Sequence, residues 1–163
     1  MKKVLGPLCA IATGVVAFVA LSLHNLFVKT TMGGLSETDG TSGWDAITGG
    51  AAENGWGDLF RVSTIILLVL ACLLVVWGLL ALLKNLKVLK VKGNFSLLTN
   101  LLLTLFAVFA ILAWLGALVY GSKNSYSMGG VSFTATAGIG TYINLVLGLL
   151  GCVLAWIYAR KDA

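Results

Sequence analysis

The side chains able to do chemistry are few in this chain, and their spacing suits binding better than catalysis. Its one histidine is His24, and its six acids are Glu37, Asp39, Asp45, Glu53, Asp58 and Asp162. No acid lies inside a long apolar run, so the carboxylate that proton- or cation-coupled transport uses is missing there. The cysteines Cys9, Cys72 and Cys152 all sit in apolar runs, which leaves none in a polar segment for a structural disulfide. The glycine-rich segments lack the strand and the lysine of a phosphate loop, and no metal-ligand spacing occurs. The sequence therefore predicts no catalytic residues, no cofactor, no metal site and no nucleic-acid partner.

What remains is a set of contact residues. Trp44 and Trp56 lie among the acids that run from Glu37 to Asp58, with Asp45 beside the first of them. Two tryptophans in an acidic, Gly/Thr/Ser-rich segment suit either of two places. One is the membrane interface, with the ring in the headgroup layer and the indole N–H wet. The other is an anchored and charge-steered docking surface for another protein.

The elements that must hold these residues follow from composition. Of 163 residues, 59 % are hydrophobic and 10 % charged, against about 25 % charged in a soluble domain. Four mainly apolar runs, 4–28, 59–83, 97–120 and 139–159, are each long enough to cross a hydrocarbon core of about 30 Å at roughly 1.5 Å per helical residue. Arg61 is the only charge within them. None shows the polar stripe of a helix at a water interface, so their solvent is lipid. Lys2-Lys3 followed by an apolar run also fits a secretory signal, but the run is long for one. The expected fold is an all-α integral membrane protein: one domain, 1–163, forming a four-transmembrane-helix bundle.

Lysine and arginine orient that bundle. Lys2, Lys3, Lys84, Lys87, Lys90, Lys92, Arg160 and Lys161 fall on one side, and Lys29, Arg61 and Lys123 on the other. The positive-inside rule places the first group and both termini in the cytoplasm of a cell with this protein in its plasma membrane. The cytoplasmic loop, 84–96, repeats lysine at 84, 87 and 90, which one or two helical turns would hold toward lipid headgroups together with Lys92. Its Asn94-Phe95-Ser96 is the only Asn-x-Ser/Thr site and lies inside, where Ser96 would cap the third helix.

The outer loops, 29–58 and 121–138, share a motif. Met32-Gly33-Gly34-Leu35-Ser36-Glu37-Thr38 matches Met128-Gly129-Gly130-Val131-Ser132-Phe133-Thr134, and Cys72 with Trp77 is echoed by Cys152 with Trp156. The pattern reads as a tandem duplication of a two-helix hairpin about an axis along the membrane normal, with an insertion in the first copy from Gly43 to about Arg61. The second outer loop is expected to form a hairpin or irregular cap. Within the helices, His24, Asn25, Asn100 and Asn144 lie near ends, where solvation, interhelical hydrogen bonds or the lining of a pore would accommodate them. Small residues at four-residue spacing, chiefly Gly151 and Ala155, let a neighbouring helix approach closely, in the monomer or in a complex.

Four helices, both ends inside and a longer first outer loop with tryptophans resemble the layout of claudins and other tetraspan proteins. The resemblance is one of topology: the Gly-Leu-Trp segment and paired cysteines of claudin-type first loops are absent here. These features together predict a non-enzymatic accessory subunit, scaffold or assembly partner. It would contact other membrane protein subunits, or form a homo-oligomer, through Trp44, Asp45, Trp56, Gly151 and Ala155. A small channel or transporter and a lipid-modifying enzyme are the alternatives.

Overall fold

The computed structural model describes residues 2–48, 55–90 and 95–161. Its elements run in the order α1 (Lys2–Ser22), β1 (His24–Met32), β2 (Leu35–Ser42), α2 (Gly43–Thr48), α3 (Gly55–Asn85), α4 (Phe95–Asn124), β3 (Tyr126–Met128), β4 (Val131–Ala137) and α5 (Ile139–Lys161). The helices α1, α3, α4 and α5 are long and apolar enough to cross a membrane.

These four helices form a ring in which α3 packs on α1 and α4, α4 on α5, and α5 more lightly on α1. Up-down connection makes every neighbour antiparallel. The core is small-residue and aromatic: Ala10, Ala17, Ala71, Ala110, Ala113 and Ala117 pack around Phe60, Phe106, Leu67 and Leu74. In lipid no hydrophobic force drives helices together, so close approach and dispersion must hold them. Gly14 lies against Ala71 and Val75, Gly78 against Ile11, and Gly116 against the backbone of Phe60, leaving no room for a Cβ at any of them.

The all-α expectation needs correction. Between the helices, at the end away from the termini, lies a four-stranded antiparallel sheet of order β2-β1-β4-β3. The first apolar run is thereby divided, with α1 ending at Ser22 and residues 24–28 belonging to β1. Hydropathy does not distinguish a buried strand from a helix. The distinguishing signals were the Val/Thr content of residues 28–31 and the two-residue Gly-Gly that follows Met32. The second loop's hairpin is present as β3–β4.

The ring of helices permits the two-fold exchange of α1 with α4 and of α3 with α5. The sheet breaks it. Such an exchange would carry the β1–β4 pair onto β3 and β2, which are not neighbours.

Asn25 joins sheet to bundle. It is the extra residue where the β1–β2 register shifts between His24 and Leu26. Its carbonyl accepts the Gly138 N–H and the Thr141 hydroxyl, both at 2.8 Å, tying the end of α1 to the start of α5. A Cβ on Gly43 or Gly140 would strike its side chain, and one on Gly138 the carbonyl of His24. Asn25 and Asn144 are buried, against the expectation that solvation at helix ends accommodates them. Asn144 lies on α5 one turn from Gly148, which touches Ala107 and Ala110 of α4.

Candidate functional site

The two Met-Gly-Gly segments form the tips of the two hairpins. Gly33 and Gly34 have φ of 57° and 85°, and Gly129 and Gly130 have 59° and 82°. Positive φ at both central residues is the type I′ signature, whose twist matches that of the flanking strands. The repeated motif is thus one turn built twice, and the pairing of Met32 with Val131 sets the two turns side by side.

Register then decides what the tip displays. Leu35, Met32, Val131 and Met128 are cross-strand neighbours in one row, so their side chains share a face. This row lies six residues beyond Leu26, about 20 Å along the strand. Leu35 is 81 % exposed, Met128 80 % and Met32 65 %. The next row, Ser36, Thr31, Ser132 and Ser127, is wholly polar and points the other way. Two rows on, Tyr126 and Phe133 stack at 5.5 Å on the face of the apolar tip. Toward the bundle the same face carries Leu26, Ala135 and Ala137, all buried. Ala135 lies so close to Gly121 of α4 that a Cβ there would meet its carbonyl. The sheet is therefore clamped at its base and apolar at its free end.

Trp44 and Asp45 sit elsewhere, at the base. Ser42 and Asp45 form a reciprocal cap on α2. The Asp45 N–H donates to Ser42 Oγ at 3.1 Å, while the Ser42 N–H and hydroxyl donate to Asp45 Oδ2 at 3.2 and 2.7 Å. The side-chain hydrogen bond from Ser42, then the backbone one, holds the Asp45 carboxyl below its ordinary range. Trp44 donates its indole N–H to Ser22 Oγ at 3.1 Å and stacks near Phe18, pinning α2 to the end of α1. Trp56 opens α3 with Lys123 Nζ 5.6 Å from its ring centre. Both tryptophans keep somewhat more than a third of their surface exposed, so each makes contacts within the chain and still presents an edge.

Gly151 and Ala155 face inward. Gly151 meets Leu103 and Thr13, and Ala155 lies in the core, so this ridge joins helices of one chain.

The lysine loop also differs from expectation. α3 ends at Asn85, and the Lys87 and Val88 N–H groups return to the carbonyls of Lys84 and Leu83 at 2.9 and 3.0 Å. This is a Schellman closure with Lys87 in the left-handed position at φ 62°. It stops the helix that was to carry Lys84, Lys87 and Lys90 along one side. Lys84 Nζ lies 4.5 Å over Phe95, which stacks on Trp77, while Lys87 and Lys90 are exposed. Lys92 lies outside the described residues, and α4 begins at Phe95, so Ser96 is within its first turn.

Sequence reasoning missed the apolar row. Its signal was present in the two-residue Gly-Gly loops flanked by apolar residues, but only register shows that the four side chains are aligned. No protein-family model matches the chain, and no curated protein matches it in sequence.

Proposed function

We propose that this is a non-enzymatic membrane protein that works by contact, an accessory or scaffold subunit whose sheet is its binding element. Four helices anchor it, with both termini cytoplasmic and the sheet outside the plasma membrane. The observation that carries the reading is the apolar row Leu35–Met32–Val131–Met128, exposed at Leu35, Met32 and Met128, on a cap clamped at its base. An apolar surface held in water on a braced element is unfavourable for the isolated molecule and becomes favourable when covered. The orientation rests on the eight bases of the terminus side against three on the sheet side.

Two experiments test this. Ser42→Cys in intact cells is expected to react with an impermeant thiol reagent and Asn85→Cys to be protected; the reverse pattern overturns the orientation. Replacing Met32 and Leu35 by serine is expected to abolish co-purification of associated membrane protein while leaving insertion intact. Robust solute flux from the pure protein in liposomes, unchanged by the serine variant, overturns the contact reading.

A further inference from the structure

We infer that the tip of the sheet binds a second copy of this chain, edge to edge, with β2 of one molecule against β3 of the next. This rests on the contact reading above and names its partner.

The sheet has two edges, β2 and β3. β2 runs toward the bundle and β3 away from it, so a sideways shift of one molecule brings the two together antiparallel without inverting it in the membrane. In each two-residue hairpin the residues flanking the turn exchange both backbone hydrogen bonds. Met32 and Leu35 do so in one, Met128 and Val131 in the other. Alternation then directs the N–H and C=O of Ser36 outward from β2, and those of Ser127 outward from β3. Pairing Ser36 with the neighbour's Ser127 satisfies both.

That register places Leu35 beside the neighbour's Met128. These are the most exposed large apolar side chains at the tip, and each ends the same row on opposite edges. Joined, they continue one apolar row from molecule to molecule. The contact needs only the three residues of β3, so the twist built up across four strands need not be carried into the neighbour.

Charge selects this pairing over the alternative. β2 carries Glu37 and Asp39, whereas the segment 121–138 holds no acid and one base, Lys123. Two β2 edges in one membrane run the same way, so they could meet only in parallel, with Glu37 and Asp39 of both copies along one seam, which is repulsive. Against β3, Glu37 faces Tyr126, and Asp39 approaches the neighbour's Asn124 and Lys123. The patch is small, so the association depends on the high local concentration within a membrane. A head-to-tail contact of this kind is not self-complementary, so it builds chains of copies, or rings where the rotation closes.

The test uses the full chain in its membrane, with Cys9, Cys72 and Cys152 replaced by alanine. Leu35→Cys and Met128→Cys are made singly, on differently tagged copies, and together. Within one molecule the two positions are separated by two intervening strands, roughly 14 Å, too far for a disulfide. Mild oxidation is expected to link a Leu35→Cys copy to a Met128→Cys copy several-fold more than either to itself. The double variant is expected to give a ladder of dimer, trimer and higher species. Lys123→Glu should weaken the ladder, and adding Glu37→Lys with Asp39→Lys should restore it. Equal self-linking of Leu35→Cys alone, or a double variant that stays monomeric, overturns the edge pairing. If the ladder is absent while tip cysteines link to a different polypeptide, the self-association is wrong and the contact reading survives. If the ladder is absent and liposome flux is robust, both fail.

Discussion

The two ends of the helix bundle are closed by opposite means. At the sheet end, Asn25, Gly43, Gly138 and Gly140 interlock three segments of chain with no space to spare. At the other end, α3 stops at Lys87 with Leu86 to Val88 exposed, and Lys84 lies over Phe95, which stacks on Trp77. The tight end holds a sheet in fixed register, which is the rigid joint the proposed binding role requires.

The strongest way to break this contrast is to add one methyl at the joint. Gly138→Ala and Gly140→Ala each drive a Cβ into a backbone carbonyl, of His24 and Ala20 respectively. Each is expected to cost about 3 kcal/mol by overpacking, read as a fall in the detergent melting temperature together with loss of the tip cross-link. A melting curve equal to that of the parent would mean that the joint yields.

Next comes the α5 ridge. Gly151→Leu should lower stability by roughly 2 kcal/mol, because Leu103 and Thr13 already lie against Gly151. The loss should appear in monomeric protein, at concentrations too low for association. Destabilisation seen only when the protein associates would place this face outside the monomer core.

The turns should be milder. Gly34→Ala and Gly130→Ala meet no neighbouring atoms, so each costs only the left-handed conformation, about 1 kcal/mol. Equal effects in the two hairpins, measured by denaturant titration, would show that the repeated motif performs one structural job twice. At the other end the sign reverses. Lys87→Gly relieves a side chain at φ 62° and is expected to raise stability by about 0.5–1 kcal/mol, with a small upward shift in melting temperature. A decrease would assign Lys87 a contact worth more than its strain.

The smallest effect concerns Asp45. Its carboxyl is held below its ordinary value of 3.8 by Ser42, so the α2 cap is fully present above that value. It weakens as pH falls through the lowered folded value. Comparing Asp45→Asn with the parent in an acid titration should show the difference between them shrinking below about pH 4. A constant difference down to pH 2 would show that the charge contributes nothing.

The four spans were legible because hydropathy over about 20 residues is a bulk property, requiring no knowledge of neighbours. Charge bias likewise needs only counting, and the Met-Gly-Gly repeat was visible as text. Other features were decided by contacts distant in sequence. Residues 26–28 are as apolar as the helix before them, and pairing with β4, more than a hundred residues away, is what makes them strand. Asn25 is buried because Gly138 and Thr141 close over it. Trp44 became a structural pin through Ser22 and Phe18, and Gly151 a core residue through Leu103. The sequence by itself thus determined that the chain has four segments long and apolar enough to cross a membrane and where its charges lie, since those depend on local composition. Only the tertiary structure decided that Leu35, Met32, Val131 and Met128 form one apolar row, exposed at all but Val131. Strand register is a long-range quantity, and a slip of one residue would turn each of those side chains to the opposite face.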